Sequence, residues 1–338
     1  MILRDEWKRR EAVAGFAARC DDNSGLICTR LRVIYKPKEE AMKHLTTAVY
    51  RKIGLGVTLV FALLLYNSDC LAQTWGPGEY MQQALSNVIV KATVMTVASD
   101  SRYDLNDNGV CLLGAFLEDG AHINWETTLM QGHKYVFIGG GDEDVEDLDI
   151  KVYDSDGDLV KEDVQEDNSP IVELTPAYTA RYTIQLKLYD APTSSFSAMA
   201  ILREGVQTIP LDRVTEAMDR YLKLAEAVNE HTDGASFHDE SNQWALFGAI
   251  LDEGESTSIS NMNLETRQHA IIAAGDNSCE DADLYLYNTN DIELEKDTES
   301  DPTPVISRRT SDDARYKLII KNYDSNGRSL IIATILDL

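Results

Sequence analysis

The sequence predicts a mainly β protein: two tandem antiparallel β-sandwich (jelly-roll-like) domains, each preceded by one amphipathic α-helix. Three observations predict it. The chain repeats itself when position 114 is laid on position 248; each copy alternates apolar and polar residues with period two between turn signals; and apolar residues at helical spacing precede each copy.

The repeat sets the boundaries. This one shift places Gly114 to Gly120 (GAFLEDG) on Gly248 to Gly254 (GAILDEG), and Gly141-Asp142 on Gly275-Asp276. It carries Ala180-Arg181-Tyr182 onto Ala314-Arg315-Tyr316, and Lys187, Tyr189 and Asp190 onto Lys321, Tyr323 and Asp324. Between 114–202 and 248–336, 23 of 89 positions are identical without a gap, where composition alone gives about 6%. The units are therefore 73–206 and 207–338, joined by the short connection 203–213.

Each unit opens on a helix. In the second copy Leu211, Val214, Met218, Tyr221, Leu222, Ala225 and Val228 recur at helical spacing, and Gly234 is a stop; in the first, Tyr80, Ala84, Val88 and Val94 stand at equivalent points. Strands follow. Leu148, Ile150 and Val152 alternate with Asp147, Asp149 and Lys151, and Tyr182, Ile184, Leu186 and Leu188 repeat the pattern, as do Tyr316, Leu318 and Ile320. Asp154 to Asp158 and Asp324 to Gly327 carry turn chemistry. Gly139-Gly140-Gly141 reads as a flexible bend, because Asp142, Glu143, Asp144, Glu146 and Asp147 follow it and would repel a phosphate.

Segment 1–72 concerns address. From Met42, basic Lys43, Arg51 and Lys52 precede an apolar run, Ile53 to Tyr66, and Cys70-Leu71-Ala72 offers small residues before a cut at Gln73. Segment 42–72 therefore reads as a signal peptide, its apolar run falling short of the ~20 residues of a membrane span; an N-terminal membrane anchor is the other reading. Segment 1–41 reads as a mis-called, disordered extension ahead of a start at Met42. The remainder, 73–338, carries 19 − 49 = −30, and the whole chain 31 − 57 = −26. Such acidity argues against a nucleic-acid partner, which needs clustered Lys and Arg; no stable membrane span is expected once the short apolar run is cleaved away with the signal. The protein is expected to be secreted or periplasmic. Export permits a disulfide between Cys111 and Cys279; a bridge and two buried free thiols both remain open.

The same residues carry a family resemblance. A glycine-led turn precedes an apolar strand (Gly132 to Ile138), followed by a D-x-D strand (Asp147 to Tyr153), an acidic glycine turn (Asp154 to Asp158), an acidic loop (Glu162 to Asn168), Ile171 to Pro176, and Arg181-Tyr182. This order resembles the bacterial pre-peptidase C-terminal domain over 114–202 and, more weakly, over 248–336. The second copy departs from it at Thr266, Asp291 and Arg309-Thr310, where the first has Gly132, Gly157 and Thr175-Pro176. The resemblance implies a jelly-roll module of exported proteins that attaches to an extracellular protein or polysaccharide.

Catalytic patterns are sparse. None of His122, His133, His231, His238 and His269 sits in H-E-x-x-H, and neither a G-x-S-x-G elbow nor a phosphate loop is present. No catalytic residue and no required cofactor is assigned, and the chain is read as a non-enzyme. Paired carboxylates suit Ca²⁺, which takes six to eight oxygens. The candidate ligands, retained in both copies, are Asp142, Asp147 and Asp149 with Asp276, Asp281 and Asp283; the other reading of these positions is a solvated acidic rim. Asp154, Asp156 and Asp158 form a second group that copy two replaces with Asn288, Asn290 and Ile292. Three functions follow in order: a non-catalytic attachment module, a structural envelope component assembling through its helices, and an unrecognised hydrolase.

Overall fold

The computed structural model describes residues 76–98, 103–206, 209–210, 212–232, 234–239, 243–311 and 315–338. Segments 1–41 and 42–72, read from the sequence as an extension and a signal peptide, and Leu211 lie outside them. The described chain is mainly β, with several antiparallel sheets and two helices.

The first copy comprises α1 (Gly76–Ala98), β1 (Tyr103–Leu105), β2 (Val110–Leu117), β3 (His122–Leu129), β4 (Tyr135–Gly141), β5 (Asp147–Tyr153), β6 (Leu159–Asp163), β7 (Ile171–Leu174), β8 (Ala180–Asp190) and β9 (Ser195–Glu204). The second comprises α2 (Asp212–Thr232), β10 (Ser236–Phe237), β11 (Leu246–Leu251), β12 (Ser256–Asn263), β13 (Gln268–Gly275), β14 (Cys279–Asn288), β15 (Glu293–Asp297), β16 (Val305–Arg309), β17 (Arg315–Ser325) and β18 (Ser329–Asp337). The starts of β3, β6, β7 and β9 recur, at the shift that relates the two copies, as those of β12, β15, β16 and β18.

The copies do not stand as separate sandwiches. One ten-stranded sheet runs through both, in the order β16-β13-β18-β11-β2-β9-β4-β7, with β1 on β9 and β10 on β18. Its midpoint is the antiparallel β2–β11 pair, where Leu113 faces Phe247, Gly114 faces Leu246 and Leu112 faces Gly248. Because Phe247 is the repeat equivalent of Leu113, the pairing is self-complementary, an isologous contact within one chain. The physical reason is edge protection: an unpaired apolar edge strand invites association, and each copy's β2-type edge covers the other's. Two four-stranded sheets, β3-β8-β5-β6 and β12-β17-β14-β15, complete the architecture.

Three layers result. Leu113, Ala115, Phe137, Ile201 and their second-copy counterparts point at the small sheets, meeting Leu148, Ile150, Ile184, Leu186, Leu284 and Leu318 in one core that spans both copies. Leu112, Val136, Ile138, Ala198, Ala200, Ile272 and Ile332 point to the other side, against the helices. α1 packs on β4 and β9, and α2 on β13 and β18. With both faces covered, β2 and β11 are buried almost throughout, as sheets covered on both sides require.

Two details differ from the sequence reading. The buried stripe of α1 is Met81, Ala84, Leu85, Val88 and Ala92, while Tyr80 and Val94 are exposed. The three glycines 139–141 are not a bend but the buried end of β4. They are small because neighbours come close: a Cβ on Gly139 would lie 2.7 Å from Pro170, and one on Gly140 would lie 2.9 Å from Val88 and 3.2 Å from the Ala84 carbonyl of α1. Both thiols are free and buried; Cys111 Sγ donates to the Gly248 carbonyl at 3.4 Å, and burial pushes its pKa up to about 12.

Candidate functional site

The six aspartates read as Ca²⁺ ligands separate into two roles. Asp142 and Asp276 each lock two strands. The Phe196 N–H donates to Asp142 Oδ2 at 2.7 Å, and the Asp144 N–H to Oδ1 at 3.1 Å. At the equivalent place the Leu330 N–H donates to Asp276 Oδ2 at 3.0 Å; the Ser278 N–H (2.8 Å) and Arg213 Nη1 (3.1 Å) donate to Oδ1. These carboxylates are satisfied by the fold itself. Burial pushes the Asp142 carboxyl up, against the pull of those two N–H donors.

The other four lie on the outer side of the small sheets. Asp147 faces Asp190 across the β5–β8 ladder, and Asp281 faces Asp324 across β14–β17. Although they alternate with core residues, Asp147, Asp149, Asp281 and Asp283 are themselves buried. Oδ1 of Asp147 and of Asp281 has no hydrogen-bond partner. Burial, and then the neighbouring carboxylates, raise the pKa of both. Burial and the Asp147 charge do the same to Asp149. Asp283 accepts from Tyr285 Oη at 2.8 Å and lies 3.7 Å from Lys321 Nζ. Burial and that hydrogen bond push Tyr285 up to about 12.

The second candidate group serves a turn. Asp154 Oδ1 accepts from the N–H groups of Asp156 and Asp158, each at 3.0 Å, closing the β5–β6 hairpin with Gly157 at φ +85°. Asn288 does the same for Asn290 and Ile292. An amide replaces the carboxylate there because the turn needs only an acceptor.

Beside the paired acids, both copies present the same exposed constellation. Alternation along β8 turns Leu186 and Leu188 inward and Lys187 and Tyr189 outward; on β17 the outward pair is Lys321 and Tyr323. Tyr189 is 57% exposed and Tyr323 55%. The ammonium of Lys187 sits 4.4 Å from the Tyr189 ring centroid, and that of Lys321 sits 4.3 Å from the Tyr323 centroid. Across the ladders Lys187 faces Asp149 and Lys321 faces Asp283. Each copy thus carries an exposed aromatic ring braced by a cation, beside a carboxylate. The sequence aligns these residues, yet only the structure shows both rings exposed.

A further group was invisible to spacing. Among the described residues, one set of three His, Cys, Asp or Glu has its ligand atoms within 4.8 Å of one another: His238, His269 and Asp337. These positions are far apart along the chain and match no linear motif; strand register alone unites them.

No protein-family model matches this chain, and no curated protein does. Among solved structures, a Clostridium perfringens catalytic domain with its CBM51-1 and CBM51-2 domains is 7% identical at TM-score 0.22, over 70% of this chain and 37% of that one. The tandem CBM51 modules of a family 98 glycoside hydrolase from Streptococcus pneumoniae are 9% identical at TM-score 0.22, over 66% and 82%. The BSP domain of a biofilm-associated protein is 12% identical at TM-score 0.23, over 66% and 51%. The chain thus spans little more than a third of the first of these. Among the described residues no helix is long and apolar enough to cross a membrane.

Proposed function

We propose that the chain is an exported, non-catalytic attachment module, akin to tandem pre-peptidase C-terminal domains, that holds a neutral or basic extracellular polysaccharide on the outer faces of its two small sheets. The observation that carries this is the matched exposure of Tyr189 beside Lys187 and of Tyr323 beside Lys321. Folding does not require an exposed aromatic at the same place in both copies. A sugar ring uses one: its C–H face stacks on a phenol, while the lysine beside it reaches its hydroxyls. The lysine contact costs little on binding, since it already holds the ring. A net charge of −26 repels anionic polymers and narrows the class to neutral or basic ones. Two copies on one scaffold add avidity, and the contact needs no cofactor.

The rival reading, assembly through the helices, has less support. Met81, Leu85 and Val88 of α1, and Val214, Met218 and Tyr221 of α2, are already buried against the large sheet. Retention on insoluble neutral polysaccharides tests the proposal. Y189A/Y323A should lose at least tenfold in retention and each single variant should fall between; a double variant retained like the parent sinks it.

A further inference from the structure

His238, His269 and Asp337 come together because three chain segments lie side by side. β18 ends on Asp337, which faces His269 of β13 on one flank and Ser236 of β10 on the other. The His238 N–H continues the β10 edge by donating to the Ile335 carbonyl at 3.0 Å. A diagonal cross-strand neighbour is within side-chain reach, so His238 also meets Asp337. All three residues are buried.

The polar atoms point to a common centre. His238 Nδ1 lies 3.0 Å from Asp337 Oδ1, and His269 Nδ1 lies 2.7 Å from the same oxygen. On its far side, His269 Nε2 lies 3.0 Å from the Glu265 carbonyl. A carbonyl only accepts, so Nε2 carries the hydrogen, and in neutral imidazole Nδ1 then presents its lone pair. The short Nδ1–Oδ1 contact therefore sets two lone pairs against each other. A positive charge, either a proton or a metal ion beside the pair, relieves that opposition, and Nδ1 makes no aligned hydrogen bond there. The outer contacts also suit a metal centre. Arg267 Nη1 donates to Asp337 Oδ2 at 3.0 Å, holding the carboxylate with Oδ1 turned to the imidazoles, and Arg267 is itself paired with Glu265. Carbonyl and guanidinium orient the ligands from outside, as such partners do in metal proteins.

We propose that His238, His269 and Asp337 form a binding site for one Zn²⁺-class ion. Two imidazole nitrogens with one carboxylate oxygen suit Zn²⁺ and disfavour Ca²⁺ or Mg²⁺, which take oxygen shells. Asp337 and Arg267 also line an open cleft of about 340 Å³ with Gly234, Ala235, Ser236 and Leu338, so the carboxylate edge of the cluster borders open space. Bound there, the ion ties β10, β13 and β18 together.

The first copy supplies an internal control. Its residues at the same three positions are Asp104, Tyr135 and Arg203; Asp104 and Tyr135 each face Arg203 in register. That set has a cation built in and no imidazole, so the first copy does not repeat the site.

Titrating Zn²⁺ into the metal-free full-length protein, read by calorimetry and metal analysis, tests this. One ion per chain is expected, with an X-ray absorption edge showing two imidazoles; Co²⁺ in its place should give the visible bands of a tetrahedral site. H269Q should abolish uptake and R267Q should weaken it by about 10–100-fold. Should H269Q fail to fold, histidine ¹⁵N shifts of the intact protein on adding Zn²⁺ still decide. No uptake, two ions per chain, oxygen-only coordination or unmoved histidine signals would overturn it.

Discussion

Gly140 shows how closely single residues are fitted. Its Cα hydrogen faces the backbone of α1, and the added Cβ of an alanine would meet Val88 N at 3.1 Å as well as the Val88 side chain. Backbone on both sides of a contact cannot rotate away, so the helix must lift. Overpacking of this kind costs about 1–3 kcal/mol. G140A should lower stability by that amount in urea unfolding. The second copy has Ala274 at this place, buried beneath α2, so one methyl sets how deep each helix sits. A G140A protein as stable as the parent would mean that α1 floats on its sheet. The aspartates make a related point: Asp142 and Asp276 recur in both copies because strand ends need their acceptors. Repetition of a residue type at a matched position marks a shared structural duty as readily as a shared ligand.

At the scale of elements, the decisive contact is β2 against β11. Phe247 faces Leu113 at its centre, and its ring lies 6.2 Å from that of Trp125 in the other copy. Trp244 adds a further tie, its Nε1–H donating to the Asn124 carbonyl at 2.8 Å. Truncating a buried phenylalanine costs about 3–5 kcal/mol. F247A should therefore destabilise both copies together, seen as one calorimetric transition shifted to lower temperature; separate transitions for the two halves would deny the shared sheet. The sequence made the strands legible, because Leu148, Ile150, Val152 and Ile184, Leu186, Leu188 alternate as half-buried strands must. It made α2 legible because Val214, Met218, Tyr221 and Ala225 recur at helical spacing. It did not reveal the fusion, since the runs VCLLGAFL and LFGAIL are apolar on both faces and periodicity names no partner edge. The glycines of β4 were misread because a close approach leaves the same signature as a turn. His238, His269 and Asp337 were illegible for a third reason: register, not spacing, brings them together.

At the scale of the whole molecule, charge and burial act in one direction. Burial and acidic neighbours raise the folded-state pKa of Asp147, Asp149 and Asp281 above the ordinary carboxylate value, and burial raises that of Asp142. A group with a raised folded pKa binds its proton more tightly folded than unfolded, so its contribution is present at low pH and is lost as pH rises through the folded pKa. The net charge of −26 reinforces this, because self-repulsion also relaxes as carboxylates gain protons. Asp337 works the other way. Burial would raise its carboxyl, but contact with His238 and His269 outweighs that and holds it far below the usual range, so its contribution is lost only as pH falls below about 4. The melting temperature of the metal-free protein should therefore rise as pH falls from neutral towards about 5, and drop again below about 4. Asp147 and Asp281, each with an unpartnered oxygen and facing another acid, should account for much of the upper limb. Replacing both with asparagine should raise the melting temperature at neutral pH by roughly a few degrees and flatten that limb, since an uncompensated buried charge is removed from each copy. A double variant that melts lower than the parent at neutral pH, with the slope intact, would show instead that these two carboxylates support the fold as anions.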